Sequence, residues 1–184
     1  EQLISSAERR SLMNGEQQTT ARITDVFHVV PALTGKLELV YEGEQEGVIN
    51  VAKHIIGKAI KKIFTKHFPD PEKEKKKDDE SVYKPVLDWF ASENTLNLSD
   101  SLSQKEYEQK LSQVNGLEKI VQHEADIEDS MLKYVLMDFV IESLHQNSML
   151  GKEDMDDTRS YSDMLGSMLG SMDDFDDLEN FDDR

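Results

Sequence analysis

PALTGKLELVYEGEQEGVINVAKHIIGKAIKKIFTKHF, residues 31–68, decides how this chain is read. Its second half carries Val48, Val51, Ala52, Ile55, Ile56, Ala59, Ile60, Ile63 and Phe64 at three- and four-residue steps. That spacing gathers them into one apolar stripe on a helix turning every 3.6 residues. Lys53, Lys58, Lys61, Lys62 and Lys66 fall outside the stripe, so the other side of the helix is wet and positive. Burying each larger apolar side chain is worth roughly 1.5–3 kcal/mol before entropy, more than any other segment offers. The spacing therefore predicts an all-α fold, an irregular helical bundle organised on a long helix at about 47–68.

Of the 184 residues, 37% are hydrophobic and 32% charged, which is too polar for a chain packed throughout and places part of it outside the core. The net charge of −17 argues against nucleic acid as a main partner, since phosphate binding relies on Lys and Arg. With no cysteine there is neither a disulfide framework nor a thiolate metal site. No apolar run approaches the roughly 20 residues of a membrane span, so a cytoplasmic protein without membrane contact is expected.

Upstream of the long helix, Leu3, Ile4, Ala7 and Leu12 give a first helix a partial apolar face that Gly15 ends. A second begins near Thr24 or Asp25, with Ile23, Val26, Phe27, Val30 and Leu33 inward and a kink or stop at Pro31. Leu37 to Tyr41, LELVY, fits a short strand and a helix equally. The acidic run before Gly47 and the lysines toward His67 suit the helix dipole, which is their first reading; a docking patch is the second.

Downstream, Pro69 and Pro71 end the helix, and EKEKKKDDE at 72–80 reads as a solvated linker. Order resumes with Val82, Tyr83, Val86, Leu87, Trp89 and Phe90, where the only tryptophan is expected to anchor a core. Thr95 to Leu98 is briefly extended. Ser103 and Glu106 form a capping box, Asn115-Gly116 breaks that helix, and a last strong helix starts near Asp129 with Met131, Leu132, Val135, Leu136, Phe139, Val140 and Leu144 inward. The segments are thus 1–40, 41–68, a linker 69–80, a C-terminal helical domain 81–150, and a tail 151–184.

From Lys152 onward twelve acidic residues face three basic ones, so the tail is expected to be flexible, and cutting it after Gly151 to leave the melting temperature nearly unchanged. Within it, Met164-Leu165-Gly166-Ser167 is repeated as Met168-Leu169-Gly170-Ser171 and followed by Met172. A low-complexity acidic solubilising tail is its first reading; the second is a short segment folding against a groove, since a four-residue period keeps Met and Leu on one side of a helical turn. Partner contacts are accordingly placed at Lys58, Lys61, Lys62, Met164, Leu165, Met168, Leu169 and Met172.

Signals of catalysis are missing from the sequence. Gly35, Gly43, Gly47 and Gly57 form no phosphate-binding loop. The five histidines lack metal-ligand spacing; Glu142 and His145, three apart, are one pair where a di-metal bundle needs two. Asp173-Asp174 and Asp176-Asp177 lack the ordered spacing of an EF-hand, and no nucleophile with a base can be assigned. No residue is therefore assigned a catalytic, cofactor-binding or metal-binding role.

QLISSAERRSLMNG, the loop with Thr20 and Arg22, and ITDVFHVVPALTGKLELVYEGEQEG resemble the end of an AAA+ ATPase module, in the branch of magnesium chelatase ATPase subunits and MoxR-type proteins. In such proteins a small helical lid follows the nucleotide core, its last helix introduced by a similar arginine, valine or isoleucine, and aspartate pattern. ALTGKLELVYEGEQEG resembles a segment of bacterial chelatase-like ATPases grouped with sigma-54-type activators. The likeness covers residues 1–68; beyond 81 it rests on similarity to the same proteins' C-terminal extension. It implies a parent ATPase that forms rings and uses ATP and Mg²⁺, continued here by a non-catalytic lid end and extension contacting other subunits or a cognate partner. The Walker motifs and arginine finger that the family carries upstream are missing, and Glu1 opens inside a helical pattern without an initiator Met, so the chain is expected to continue a longer protein and not to bind ATP alone. The alternative is a stand-alone helical interaction module whose acidic tail recruits or inhibits.

Overall fold

The axis of the molecule is the helix Ser130–Gln146 and not the long helix read from the sequence. In the computed structural model, residues 1–39, 45–125, 127–155 and 157–164 are described. Helices α1 (Gln2–Asn14), α2 (Ile23–Phe27) and α3 (Val30–Thr34) precede α4 (Val48–His67). After α5 (Pro71–Glu74) and a 3₁₀ turn (Lys75–Glu80) come α6 (Lys84–Ala91), strand β1 (Leu96–Ser99), α7 (Gln104–Ser112), α8 (Leu117–Glu124) and α9 (Ser130–Gln146). The hairpin β2 (Gly151–Met155) and β3 (Thr158–Ser162) closes the described fold.

The all-α expectation is corrected by this sheet. Its order is β1-β3-β2, antiparallel throughout, with Leu96 opposite Tyr161, Leu98 opposite Arg159 and Gly151 opposite Ser162. The reason lies in β3, whose alternate residues Arg159 and Tyr161 turn inward while Thr158, Ser160 and Ser162 are half-buried. A composition rich in Asp and Glu hid this period-two pattern, because the inward residues are a cation and a phenol. The flexible acidic tail read from 151 therefore begins with paired strands.

Among the described residues, twenty buried side chains form the main core around α9, from Phe64 and Phe68 to Val86, Phe90, Leu111, Leu117, Ile141 and Leu144. Trp89 packs edge-on to Phe90, centroids 4.9 Å apart, and is half-buried. A smaller cluster of Val30, Ala52, Ile56 and Ile60 joins α3 to α4, and Phe139 touches both clusters. Between Met137 and Leu144 every residue of α9 but the half-buried Phe139 is buried, so that stretch has no exposed face for a sequence pattern to reveal. Of its expected inward residues, Leu132 is 42% exposed.

Local signals hold well elsewhere. Asp129 caps α9, accepting from the Met131 amide at 2.8 Å, and Ser103 with Glu106 forms the capping box of α7. Gly116 holds φ +81°, and a Cβ there would meet Pro85 Cβ at 2.6 Å, so the break before α8 needs glycine twice over. At Gly57 a Cβ would run into the side-chain amide of Gln146 on α9, which would have to move aside. The linker at 72–80 is instead folded: Glu74 is buried, taking Lys77 Nζ at 2.5 Å and the Val82 amide at 3.1 Å. Of LELVY, Leu37 packs on the smaller cluster and Leu37 to Leu39 lie in no regular element; Val40 and Tyr41 lie outside the described residues.

Candidate functional site

Three polar assemblies, two of them buried and one exposed at His28, tie the N-terminal helices and the hairpin to the body, and a cleft of about 810 Å³ lined by Ser6, Arg10, His28 and Asp100 opens beside the first two. The first centres on Asp25, fully buried in α2. Its carboxylate accepts Arg10 Nη1 at 2.8 and 3.0 Å, Ser6 Oγ at 2.6 Å and the Arg22 amide at 2.8 Å. Burial alone would raise this carboxyl, but the bonds from Arg10, Arg22 and Ser6 outweigh it and hold it below the ordinary range. The sequence expectation that Thr24 or Asp25 starts the helix is refined: Arg22 occupies the cap, and Asp25 reaches back to its amide.

Arg22 then spans to the body. Its Nη1 donates to the Leu102 carbonyl at 2.7 Å, its Nη2 to Gln104 Oε1 at 3.2 Å, and its guanidinium stacks 4.1 Å above the Tyr107 ring. Burial, with the nearby charge of Arg10, lowers its pKa to about 10. Asn14 Nδ2 donates to the Ser101 carbonyl at 3.0 Å, and the Gln104 amide to Glu16 Oε1 at 2.5 Å.

The second assembly brings together residues that the sequence scatters: Ser6 Oγ lies 2.7 Å from His28 Nδ1, and His28 Nε2 lies 2.7 Å from Asp100 Oδ2. Their separations of 22 and 72 positions left no signal in the sequence. Ser6 Oγ also donates to Asp25 Oδ1 at 2.6 Å, and Asp100 accepts from Thr24 Oγ1. These contacts make a clamp between α1, α2 and the turn after β1.

The third assembly seats the hairpin. Arg159 forks onto Asp138 at 3.2 and 3.1 Å, Tyr107 Oη donates to Asp138 Oδ2 at 2.9 Å, and Tyr161 Oη donates to Glu142 Oε2 at 2.5 Å. Lys152 Nζ approaches Glu142 Oε2 at 3.3 Å and lies 4.6 Å from the Phe27 ring centroid, which links hairpin, α9 and α2. Burial raises Glu142, but Lys152, Tyr161, Gln146 and Arg159 hold it below its ordinary range. Glu142 is thus engaged by cations, while His145 Nδ1 contacts the Leu150 carbonyl at 3.1 Å. Among the described residues no three His, Asp or Glu side chains converge as metal ligands, and no helix is long and apolar enough to cross a membrane. A signal for the third assembly was present in LMDFVIESL, where two acids four apart in an apolar run must be paired if the run is buried.

The expected contact lysines lie on α4, Lys58 and Lys62 exposed and Lys61 half-buried. Beside them, Ile55 and Ile63, both 49% exposed, and Ala59 remain uncovered, so the stripe read as wholly buried is buried only along Ala52, Ile56, Ile60 and Phe64. Met164 lines a groove with Glu74, Lys75, Ser81, Leu87 and Met149, while Leu165, Met168, Leu169 and Met172 lie outside the described residues. Compared with family models, curated proteins and solved structures, the chain gives no match to any of the three.

Proposed function

We propose that this chain is a non-catalytic contact and coupling module: the end of a lid from a chelatase-like AAA+ ATPase, continued by a helical extension. The observation that carries the reading is the joint at Arg22. The residue that opens the lid-like pattern of arginine, isoleucine and aspartate is the one that crosses to Leu102, Gln104 and Tyr107 in the body. A displacement of α1 or α2 would be passed to the body through charge-assisted bonds rather than through a free linker. Other subunits of a ring, or a cognate partner, would read that displacement, with ATP and Mg²⁺ held by the parent's core.

The test is a thermal melt of this chain with and without ATP and Mg²⁺, together with the coding sequence ahead of Glu1. No nucleotide-dependent shift and an upstream GxxxxGK[ST] are expected. A shift of several degrees, or a complete protein without that motif, overturns the proposal. A second reading, a self-standing interaction module, is favoured by the uncovered apolar row on α4.

A further inference from the structure

Helix α4 presents two parallel rows to solvent. Ile55, Ala59 and Ile63 form one, at four-residue steps; Lys58, Lys62 and Lys66, each three positions further on, form the other. Among the described residues no carboxylate lies within ion-pair reach of these three ammonium groups. An apolar row edged by unpaired cations asks for an occupant that is apolar along one side and acidic along the other.

The chain carries such a segment. Residues 165–184 hold seven acidic residues against one arginine, and Leu165, Met168, Met172, Phe175, Leu178 and Phe181 recur at three- and four-residue steps. Met164 lines the same groove as Glu74 and Lys75, seven and eight positions after α4 ends at His67. Twenty further residues reach up to ~66 Å when extended. Helix α4, twenty residues long, spans about 30 Å, so the whole double row lies within reach.

We infer that residues 165–184 bind in cis to the Ile55–Ala59–Ile63 row, their carboxylates against Lys58, Lys62 and Lys66, and so cover the face that a partner would otherwise meet. The inference does not depend on whether an ATPase core precedes the chain. The net charge of −17 favours this occupant over an anionic membrane, which would also suit a basic amphipathic face.

Because the chain has no cysteine, Thr65→Cys with Asn180→Cys gives two unique spin-label positions in the full chain. At low salt a short, narrow inter-label distance is expected, within the ~30 Å length of α4. It should broaden and lengthen at high salt, and at both salts in Ile55→Glu/Ile63→Glu, whose exposed positions leave the melting temperature unchanged. A broad distribution at low salt overturns the inference. So does a short distance that survives Ile55→Glu/Ile63→Glu, or one lost on adding a large excess of unlabelled chain, which assigns the face to a second copy. Cosedimentation with phosphatidylserine vesicles that needs Ile55 and Ile63, without a short distance, overturns it in favour of a membrane.

Discussion

Asp25 carries four hydrogen bonds on one buried carboxylate, and two of its three donor residues are arginines. Its pKa lies below the unfolded value, so its contribution to stability is complete above about pH 4 and fades as pH falls through the lowered folded value. Asp25→Asn should therefore lower the melting temperature at neutral pH and flatten the loss of stability as pH falls below about 4, read from melts across the acid range. Arg159 poses the converse problem. Arg159→Met leaves Asp138 with Tyr107 alone, and breaking a buried pair of this kind costs about 3–5 kcal/mol, measurable by urea unfolding. Asp138→Asn/Arg159→Met should recover part of that loss, because no unpaired buried charge remains. These residues were legible only as an oddity: Asp138 and Glu142 interrupt an apolar run, but their partners lie 21 and 19 positions away in a stretch whose composition spoke for solvent.

At the scale of elements, what the sequence made clear was whatever depends on neighbours. The capping box of α7, the stop at Gly15 and the long α4 follow from contacts within one turn, whereas the break expected at Pro31 falls earlier, at His28 and Val29, and Pro31 sits in the first turn of α3. What stayed hidden depends on distant partners. Helix α9 has no polar side to set its phase, and the strands of the hairpin pair through β3 with β1, more than fifty positions upstream. Ending the chain after Leu150 removes Tyr161, Arg159 and Lys152 and strands two buried carboxylates on α9. Loss of a cooperative melt is expected by circular dichroism, whereas a chain ending at Met164 retains one. An unchanged melt after Leu150 would mean that the hairpin is an ornament on a helical body.

Across the whole molecule, Arg22, the Ser6–His28–Asp100 clamp and the seated hairpin converge on one design: three helices at the N-terminal end are fastened to a body built on α9. Phe139, shared by both apolar clusters, packs the junction from inside. Such fastening suits a part that transmits movement, as the proposed coupling role requires. The most direct measurement is ATP turnover, compared between this chain, the protein extended upstream of Glu1, and the extended protein carrying Arg22→Gln. Turnover in the extended protein, none in this chain, and a several-fold fall with Arg22→Gln at full thermal integrity are expected. Turnover by this chain alone, or an extended protein indifferent to Arg22, would contradict a coupling role.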